Sequence, residues 1–285
     1  MAELLKGTPV AEALAQRSAA VVEACKAKGV VPTLAILRVG ERDDDLSYER
    51  AAIKHCEAAG VAVKNVVLPV DVDQESMLAA IESLNEDEGI HGVLMLRPLP
   101  GQLDEAACCD ALAPTKDVDA ATDTSLGHVF TGKDEGYAPC TAQACMEILK
   151  HYGIDLAGKR AAVIGRSLVI GKPVSLMLMD ADATVTTCHT KTVDAPLVTQ
   201  EADIVVVAVG RVETIGKEYF KAGQTVIDVG FGWSEEKSKP CGDVVFDEVE
   251  PIVGAITPVP GGVGSVTTAV LVSHVVEAAR QVAGL

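Results

Sequence analysis

The stretch Val163–Pro173, VIGRSLVIGKP, is the strongest indication of the fold in this chain, because it joins a short apolar run to a helix-like run through a turn bounded by glycines. The run 160–164 predicts a buried strand, and Pro173 suits the first turn of a helix. Gly165 and Gly171 let backbone amides approach an anion at that helix start, where the helix dipole also favours negative charge. The stretch therefore predicts a site for a nucleotide phosphate. Its spacing is not the common G-x-G-x-x-G, so a purely structural turn remains the alternative.

The composition predicts a globular protein that acts on small molecules. The 285 residues, 48% of them hydrophobic, suffice for one large domain or two of ordinary size. A formal net charge of −17 repels polyanions, which argues against nucleic acid as a partner. No apolar run reaches the roughly 18 residues of a membrane helix, and the segment 1–14 lacks the basic and apolar regions of a signal peptide. We therefore expect a cytoplasmic protein with no membrane partner.

The cysteine pattern gives no sign of disulfides or of a metal centre. The chain has eight cysteines, which occur singly or as the pair Cys108-Cys109. There is no C-x-x-C motif and no spacing typical of zinc ligands. We interpret the cysteines as reduced thiols that fill small gaps in the core, and we expect no metal site.

Apolar runs alternate with amphipathic segments along the chain, a pattern typical of an α/β fold with parallel sheets. In the first half, the predicted strands are 33–39, 62–68 and 92–96, and the predicted helices are 45–59 and 74–84. In the second half, the predicted strands are 160–164, 184–188, 204–209 and 225–229. The second set predicts a Rossmann-like, doubly wound nucleotide fold.

The order of these elements predicts two domains. We expect an N-terminal α/β domain over residues 1–120 and a nucleotide-binding domain over residues 138–262. Polar, glycine-containing residues between 120 and 137 predict the junction. The last helix, predicted over 266–282, is expected to return to the first domain, which adds residues 266–285 to that domain.

The end of the second strand of the nucleotide half distinguishes between two dinucleotide cofactors. An acidic residue there would accept hydrogen bonds from a free ribose 2′-hydroxyl, whereas a hydroxyl and a cation suit a 2′-phosphate. The chain has Thr190 and Lys191 at this point, and Arg166 in the phosphate turn adds a second cation. These residues favour NADP over NAD. The alternative for Lys191 is an ordinary solvated loop lysine.

Eight segments together carry a resemblance to a known family. They are Lys6–Ala11 (KGTPVA), Lys116–Asp119 (KDVD), Pro139–Thr141 (PCT), Gly165–Pro173, Cys188–Thr192, Ile227–Gly230 (IDVG), Gly242–Val244 (GDV) and Ile256–Gly264 (ITPVPGGVG). With these segments the chain resembles the methylenetetrahydrofolate dehydrogenase/cyclohydrolase family of folate one-carbon metabolism over nearly its whole length. The last segment is the most specific of the eight.

The resemblance implies roles for individual residues. It implies that Tyr48 lies against the pterin ring of a tetrahydrofolate derivative and that Asp119 binds its amino-pyrimidine edge, and it makes both candidate catalytic residues. An aromatic ring stacks on a flat heterocycle, and a carboxylate accepts two hydrogen bonds from such an edge. The alternatives are a packing tyrosine and an ordinary loop carboxylate. Further implied folate contacts are Pro260, Gly261, Gly262 and Val263. The implied NADP contacts are Gly165, Arg166, Ser167, Ile170, Gly171, Thr190, Lys191, Gly230 and Phe231.

Two departures from the family pattern bear on activity. The family has a tyrosine followed four residues later by a lysine, and this register places Ala52 at the lysine position after Tyr48. Lys54 is no replacement, because two residues along a helix turn the side chain by about 200°. The family's V-Q-L-P-L-P strand end carries Leu96 in place of the glutamine. Lesser changes are Ala120 for a glycine, Ala142 for a proline, and Ser265-Val266 for a Pro-Met pair.

The two reactions of the family place different demands on the residues at these positions. Hydride transfer from 5,10-methylenetetrahydrofolate depends mainly on positioning, because the folate nitrogens stabilise the cation that forms. Hydrolysis of the methenyl product requires a proton to leave water and another to reach a ring nitrogen, which calls for general acid-base catalysis. A lysine of lowered pKa supplies such help, whereas Ala52 and Leu96 do not. We therefore hypothesise a dehydrogenase whose cyclohydrolase activity is weak or absent.

Three other readings remain open at this point. The runner-up is a fully bifunctional dehydrogenase/cyclohydrolase that acts through a rearranged water network. A non-catalytic folate-binding or nucleotide-binding homologue is less favoured, as is a dehydrogenase of the same fold with another small substrate. The resemblance also implies a homodimer, which the composition does not show.

Overall fold

The computed structural model describes residues 1–132 and 136–285 and divides into two compact units. Unit 1 comprises residues 1–12 and 141–267, and unit 2 comprises residues 13–140 and 268–285. In chain order the strands and α-helices are β1 (Glu3–Leu4), α1 (Gly7–Ala27), β2 (Thr33–Val39), α2 (Asp43–Ala59), β3 (Ala62–Leu68), α3 (Gln74–Glu86), β4 (Gly92–Met95), α4 (Glu105–Ala111), α5 (Asp123–Thr131), α6 (Cys140–His151), β5 (Arg160–Ile164), α7 (Gly171–Asp180), β6 (Thr184–Cys188), α8 (Ala195–Gln200), β7 (Ile204–Val207), β8 (Thr225–Asp228), β9 (Gly232–Ser234), β10 (Lys239–Cys241), α9 (Phe246–Val249), β11 (Ala255–Ile256) and α10 (Gly264–Val282).

Unit 1 is built on a six-stranded parallel sheet in the order β1-β11-β8-β7-β5-β6. Its central strands β5 and β7 are buried almost throughout, as expected for a sheet covered on both faces. Ile164 pairs in register with Cys188 on one side and with Val207 on the other, so the carboxyl ends of β5, β6 and β7 lie side by side. Ligands of such sheets bind at this edge. The predicted α/β class with a Rossmann-like domain is confirmed.

Unit 2 contains a second, smaller parallel sheet in the order β3-β2-β4. Strand β2 is central, and Leu34–Val39 are all buried. Alternate residues of β2, Ala35 and Leu37, pack in one cluster with Met77 and Ile81 of α3. Residues 268–285, most of helix α10, belong to this unit, in agreement with the expected return of the last helix.

Most predicted elements are present, and the differences lie at their ends. Strands β2, β3, β5 and β6 have the predicted bounds, whereas β4, β7 and β8 end one or two residues early. Strand β7 ends at Val207 because the next amides serve another partner: Val209 N–H donates to the Asp243 carboxylate at 2.7 Å. Helix α2 begins at Asp43 rather than at residue 45, with three aspartates in its first turn that favour a helix start.

Several elements have no counterpart among the predicted ones, including the helices α1, α4 and α6. Strands β1 and β11, two residues each, pair with one another, which groups residues 1–12 with unit 1 although the sequence assigned them to the N-terminal domain. The hairpin β9–β10 follows β8. Helix α5 lies in the stretch 120–137 that predicted a junction; Thr122 caps it through Ser125 N–H at 3.1 Å. Residues 133–135 of that stretch lie outside the described residues.

A buried ion pair joins α2 to the central strand of unit 2. Arg38 of β2 contacts Glu49 of α2 at 2.5 Å between Nε and Oε2, and both residues are less than one tenth exposed. Arg38 also donates to the carbonyl of Gly40, and Asn65 of β3 donates to the second Glu49 oxygen at 3.2 Å. The pair therefore ties one strand, its neighbour and the helix that carries Tyr48.

We expect this pair to matter for stability mainly when it is broken. Arg38→Met leaves the Glu49 carboxylate buried without its partner and is expected to lower the free energy of unfolding by about 3–5 kcal/mol. Arg38→Leu combined with Glu49→Val removes both charges and is expected to cost about 1 kcal/mol or less. Urea unfolding of the three proteins measures both values. Equal destabilisation of the single and double variants would contradict the ion-pair explanation.

Candidate active site

The phosphate turn connects β5 to α7, and its two glycines are required by space. Gly165 has a φ of +133°, and a Cβ atom there would lie 2.2 Å from the carbonyl oxygen of Ala208. A Cβ atom on Gly171 would lie 2.4 Å from the carbonyl oxygen of Gly165. The turn thus folds back closely on the start of the helix, and glycine alone fits both positions. This explains the spacing of five residues between them.

Ser167 holds the turn in this shape from within. Its hydroxyl oxygen accepts the backbone N–H of Ile170 at 3.2 Å and that of Gly171 at 3.5 Å. Arg166 and Ser167 are exposed, and Ile170 is partly buried. The turn therefore presents a cation and a hydroxyl at the start of α7, where an anion is favoured.

The loop after β6 lies beside the phosphate turn. Gly165 N–H donates to the carbonyl of Cys188 at 2.9 Å, which brings the residues after β5 next to those after β6. The loop is ordered by Lys191 N–H, which donates to the His189 ring at 3.1 Å, and by His189 N–H, which donates to Thr192 Oγ1 at 2.9 Å. Thr190 and Lys191 are exposed. A hydroxyl and two cations, counting Arg166, thus lie at the ends of adjacent strands.

Two aspartates build the loops at the ends of β7 and β8. Asp243 accepts three successive backbone N–H groups, those of residues 209, 210 and 211, at 2.7–2.8 Å. Asp228 accepts the N–H groups of Gly230, Asp243 and Val244 at 3.0–3.1 Å. Burial raises the pKa of Asp228 to about 7, with the neighbouring Asp243 adding to the effect. Both carboxylates serve the main chain and shape the loops.

Gly230 and Phe231 lie in the loop after β8 that these two aspartates shape. A Cβ atom on Gly230 would lie 2.2 Å from the Asp243 carboxyl carbon, so glycine is required for the close packing. The next residue, Phe231, is 74% exposed, an unusual state for a phenylalanine. An exposed aromatic ring at the carboxyl edge of a nucleotide-binding sheet is a candidate contact for a cofactor.

Two of the motifs that carried the resemblance are in contact in unit 1. Gly7 N–H donates to the carbonyl of Gly261 at 2.8 Å, and a Cβ atom on Gly7 would lie 2.2 Å from the Gly262 carbonyl oxygen. A Cβ atom on Gly262 would itself lie 2.5 Å from the carbonyl oxygen of Pro258. The contact between the segments Lys6–Ala11 and Ile256–Gly264 therefore requires glycine at position 7. The tight turn within the second segment requires glycine at position 262. Among the implied folate contacts, Pro260 and Gly261 are exposed and Val263 is buried.

Asp119 lies in unit 2, after a short turn that follows α4. Its carboxylate accepts the backbone N–H of Cys140 at 3.4 Å. Burial raises the pKa of Asp119, while the hydrogen bonds from Cys140 and the Arg97 guanidinium act in the opposite direction. A partly buried carboxylate with few fixed donors keeps acceptor capacity for a ligand.

The two residues before Val118 and Asp119 in the KDVD segment have structural roles. Lys116 donates to three carbonyl oxygens at the end of α3, those of Leu84, Asn85 and Asp87, at 2.7–2.8 Å. Its ammonium thus satisfies helix carbonyls that have no partner within the helix. Asp117 is fully buried and accepts hydrogen bonds from residues 121, 122 and 125. Asp119 is therefore the acidic residue of this segment that remains for a ligand.

Tyr48 is close to Asp119 within unit 2. Burial raises the pKa of Tyr48 above its ordinary value, and the Asp119 carboxylate and the Cys140 thiol raise it further. The phenol therefore stays protonated and acts as a neutral aromatic surface with a hydrogen-bonding group. These residues come from three segments: Tyr48 from α2, Asp119 from the loop after α4, and Cys140 from the start of α6.

Ala52 and Leu96 are both buried in unit 2. Ala52 is 0% exposed and Leu96 is 6% exposed. Ala52 lies on the same face of α2 as the buried Asp45 and Glu49, whereas Lys54 is exposed. Apolar side chains thus occupy the two positions at which the family pattern has a lysine and a glutamine.

Sequence reasoning missed several polar residues near these positions. Arg38 and Glu49 are on no motif, and their pairing joins residues eleven apart on different elements. His274 of α10 lies next to Cys140, with 3.7 Å between Nδ1 and Sγ. A histidine and an arginine inside otherwise apolar runs were the available signals, since such residues are seldom fully buried without a partner.

Clusters of metal ligands and membrane-spanning helices are both absent from the described part of the chain. Over residues 1–132 and 136–285, no group of three or more His, Cys, Asp or Glu residues is arranged to hold a metal ion. Within the same residues, no helix has both the length and the apolar character needed to cross a membrane. All eight cysteines are buried, as the sequence predicted.

The fold and these residues define a class of protein. Unit 1 has a parallel sheet, a tight glycine turn before a helix, and exposed cations beside that turn, which are the parts of a dinucleotide-binding domain. Unit 2 adds a partly buried carboxylate and a phenol that suit a small heterocyclic ligand. A two-domain α/β enzyme of the dinucleotide-dependent type is the class that combines them.

Comparison with known proteins identifies the family. Residues 5–119 match the catalytic domain of the tetrahydrofolate dehydrogenase/cyclohydrolase family, and residues 139–283 match the NAD(P)-binding domain of that family. A bifunctional protein FolD from Carboxydothermus hydrogenoformans is 51% identical over the whole of both chains. The chain belongs to the tetrahydrofolate dehydrogenase/cyclohydrolase family.

Solved structures agree with this identification. The bifunctional methylenetetrahydrofolate dehydrogenase/cyclohydrolase FolD from Campylobacter jejuni superposes with a TM-score of 0.95 at 36% identity, with 99% of each chain covered. The Trypanosoma brucei enzyme, solved with NADP and an inhibitor, has a TM-score of 0.92 at 34% identity, with 99% of this chain and 98% of that chain covered. The predicted family resemblance is confirmed.

Proposed function

We propose that this protein is an NADP-dependent 5,10-methylenetetrahydrofolate dehydrogenase with weak or absent cyclohydrolase activity. The observation that carries the proposal is the contrast within unit 2: Tyr48 and Asp119 are both present and close to each other, whereas Ala52 and Leu96 are apolar and buried. Relatives are named as bifunctional proteins, which supports the dehydrogenase half directly and makes full bifunctionality the second candidate.

The residues of unit 1 fit a dinucleotide phosphate group. The space around Gly165 and Gly171 admits no Cβ atom, so the main chain of the turn can approach an anion closely. Ser167 keeps that turn in place, and Arg166, Thr190 and Lys191 provide the cations and hydroxyl that suit a ribose 2′-phosphate. The NADP complex of the Trypanosoma brucei relative supports the same choice. Gly230 and Phe231 are proposed as further cofactor contacts.

The residues of unit 2 bind and orient the folate in this proposal. Asp119 accepts two hydrogen bonds from the amino-pyrimidine edge, and Tyr48 packs its ring against the pterin. Residues 260–263 are further folate contacts in this proposal, on the strength of the family resemblance alone. Bound NADP supplies the hydride acceptor of the reaction. The carbon–hydrogen bond of the folate methylene group breaks with transfer of the hydride, and the adjacent folate nitrogens delocalise the resulting positive charge, so no protein base is needed.

Hydrolysis of the methenyl product places a different demand on the protein. Water must lose a proton as it attacks, and a ring nitrogen must gain one as the ring opens. Neither the methyl group of Ala52 nor the side chain of Leu96 exchanges protons. We therefore expect the methenyl product to leave the enzyme, and its hydrolysis to depend on the solvent or on another enzyme.

The dehydrogenase assignment is tested by the absorbance of the reduced cofactor when purified protein meets 5,10-methylenetetrahydrofolate. We expect turnover with NADP and much slower turnover with NAD at equal concentration. No turnover with either cofactor, combined with measurable folate binding, would instead support a non-catalytic binding protein.

Lys191 and Arg166 are expected to set the cofactor preference. Replacing either by Ala removes one charge-assisted contact worth about 1.5–3 kcal/mol, so the KM for NADP should rise about tenfold to a hundredfold. The KM for NAD should change little, since NAD lacks the 2′-phosphate. Lys217→Ala, which removes an exposed lysine elsewhere in unit 1, is the matched control. A parallel rise for both cofactors would contradict recognition of the 2′-phosphate.

We also infer a homodimer located in the cytoplasm, on the strength of the family alone. Light scattering of the purified protein measures the first directly: a mass near twice 29.6 kDa agrees with it, and a mass near 29.6 kDa contradicts it. Cell fractionation measures the second.

A further inference from the structure

We propose that His274 is a positioning residue that holds the loop before Asp119 in its folate-binding conformation. This inference rests on the proposed function, because the role of Asp119 is to bind folate. His274 lies on α10 and is 6% exposed. Its Nδ1 atom is 2.8 Å from the carbonyl oxygen of Val118, the residue directly before Asp119. Because a carbonyl oxygen only accepts, Nδ1 must carry the hydrogen and donate it.

A second donor reaches the same carbonyl. The Cys140 thiol donates to Val118 O at 3.3 Å, and the Cys140 backbone N–H donates to the Asp119 carboxylate at 3.4 Å. The peptide group between Val118 and Asp119 is thus held through its oxygen by α10 and by α6. The direction of that peptide group determines where the Asp119 side chain leaves the main chain.

The loop needs this support because its backbone is strained. Ala120 follows Asp119 with a φ of +52°, in the left-handed region that costs conformational energy for any residue with a Cβ atom. The family pattern has a glycine at this position, which adopts such a φ freely. On the other side, Asp117 holds the N–H groups of Ala121 and Thr122 at 2.8 and 2.9 Å. His274 and Asp117 therefore hold the main chain on the two sides of Ala120, an arrangement that we call the clamp. Without the clamp, Ala120 would relax out of the left-handed region.

The ring of His274 is itself held in place. Tyr137, which is 8% exposed, packs against it with 5.0 Å between ring centroids and an angle of 34° between the planes. Packing of this kind limits rotation of the imidazole, so the Nδ1–H group keeps its direction toward Val118. The geometry is that of a fixed donor and does not depend on a change of charge.

Two amide substitutions of His274 separate the donor from the ring. In His274→Asn the amide nitrogen takes the place of Nδ1, whereas in His274→Gln it lies where Nε2 was. We expect the Gln variant to raise the KM for methylenetetrahydrofolate roughly tenfold to a hundredfold, with the KM for NADP unchanged, while the Asn variant stays within about threefold of the wild type. Equal KM values for folate in the Asn and Gln variants, or a common rise of both KM values, would overturn the proposal.

A third variant keeps the test valid if His274→Gln folds poorly. Ala120→Gly removes the cost of the positive φ, so it should restore most of the folate affinity and stability when combined with His274→Gln. Failure of the combined variant to recover either would count against the clamp. Hydrogen exchange gives a readout without turnover: amides of residues 117–122 should exchange faster in the Gln variant than in the wild type. An inactive wild type would refute the proposed function, whereas unchanged exchange in these amides would refute the role of His274.

Discussion

Replacing Ala52 by Lys together with Leu96 by Gln is expected to create cyclohydrolase activity, with a rise of about 10²–10³-fold in the hydrolysis of methenyltetrahydrofolate. Both positions are buried in unit 2, and Ala52 lies one helical turn after Tyr48 on α2. Burial lowers the pKa of a lysine, so a fraction of the molecules carries a neutral amine that can take a proton from water. The glutamine supplies a hydrogen-bonding partner for the lysine, which would otherwise be an unpaired polar group in an apolar environment.

The controls for this experiment use the same two positions. Ala52→Met matches the lysine in length without its amine, so it should give no gain in hydrolysis. The single Ala52→Lys variant should give a smaller gain than the double variant and a lower unfolding temperature, because its amine lacks the partner. A double variant that keeps dehydrogenase activity and shows no gain over the wild type would contradict the assignment of Ala52 to the catalytic position.

Removing the carboxylate of Asp119 is expected to abolish most dehydrogenase activity. In Asp119→Ala the pterin edge loses two hydrogen bonds to a charged acceptor, and we expect kcat/KM for methylenetetrahydrofolate to fall about 10²–10³-fold. Asp119→Asn keeps one acceptor and should fall between this variant and the wild type. Because the proposed NADP contacts lie in other residues, cofactor affinity should not change.

The control for the Asp119 variants is a substitution that removes a carboxylate elsewhere in unit 2. Asp110→Asn, on the exposed surface of α4, removes a carboxylate from the same unit without touching the site. It should leave the kinetics unchanged. An Asp119→Ala protein that is folded and retains wild-type kcat/KM would show that another group binds the pterin edge.

Much of the fold was predictable because its elements carry strong local patterns. Strands such as β2 and β5 are continuous apolar runs, and the turn around Gly165 has a single steric solution. Two of the strands that escaped prediction depend on a distant partner. Strand β1 has two residues and exists because β11 lies beside it, 252 positions later in the pairing of Glu3 with Ala255.

The candidate site was predictable to the extent that its residues lie in motifs. Segments such as KDVD and PVPGGVG indicate where the candidate site lies. The sequence alone does not show that Lys116 caps α3, nor that Asp119 keeps acceptor capacity for a ligand. Arg38 and His274 were missed because each acts through a contact with a different element, eleven residues away for Arg38 and Glu49 and 156 residues away for His274 and Val118. Hydrophobic periodicity records which face of a helix is buried and gives no information about such polar pairs.

The proposed loss of cyclohydrolase activity is tested by a paired assay on one preparation of the wild-type protein. The first half follows NADP reduction with 5,10-methylenetetrahydrofolate, and the second follows the decay of pure 5,10-methenyltetrahydrofolate with and without enzyme. We predict turnover in the first half and, in the second, a decay rate equal to that of buffer alone. Decay accelerated by the enzyme would contradict the proposed loss of cyclohydrolase activity, since it would mean that a group other than those at positions 52 and 96 catalyses the hydrolysis.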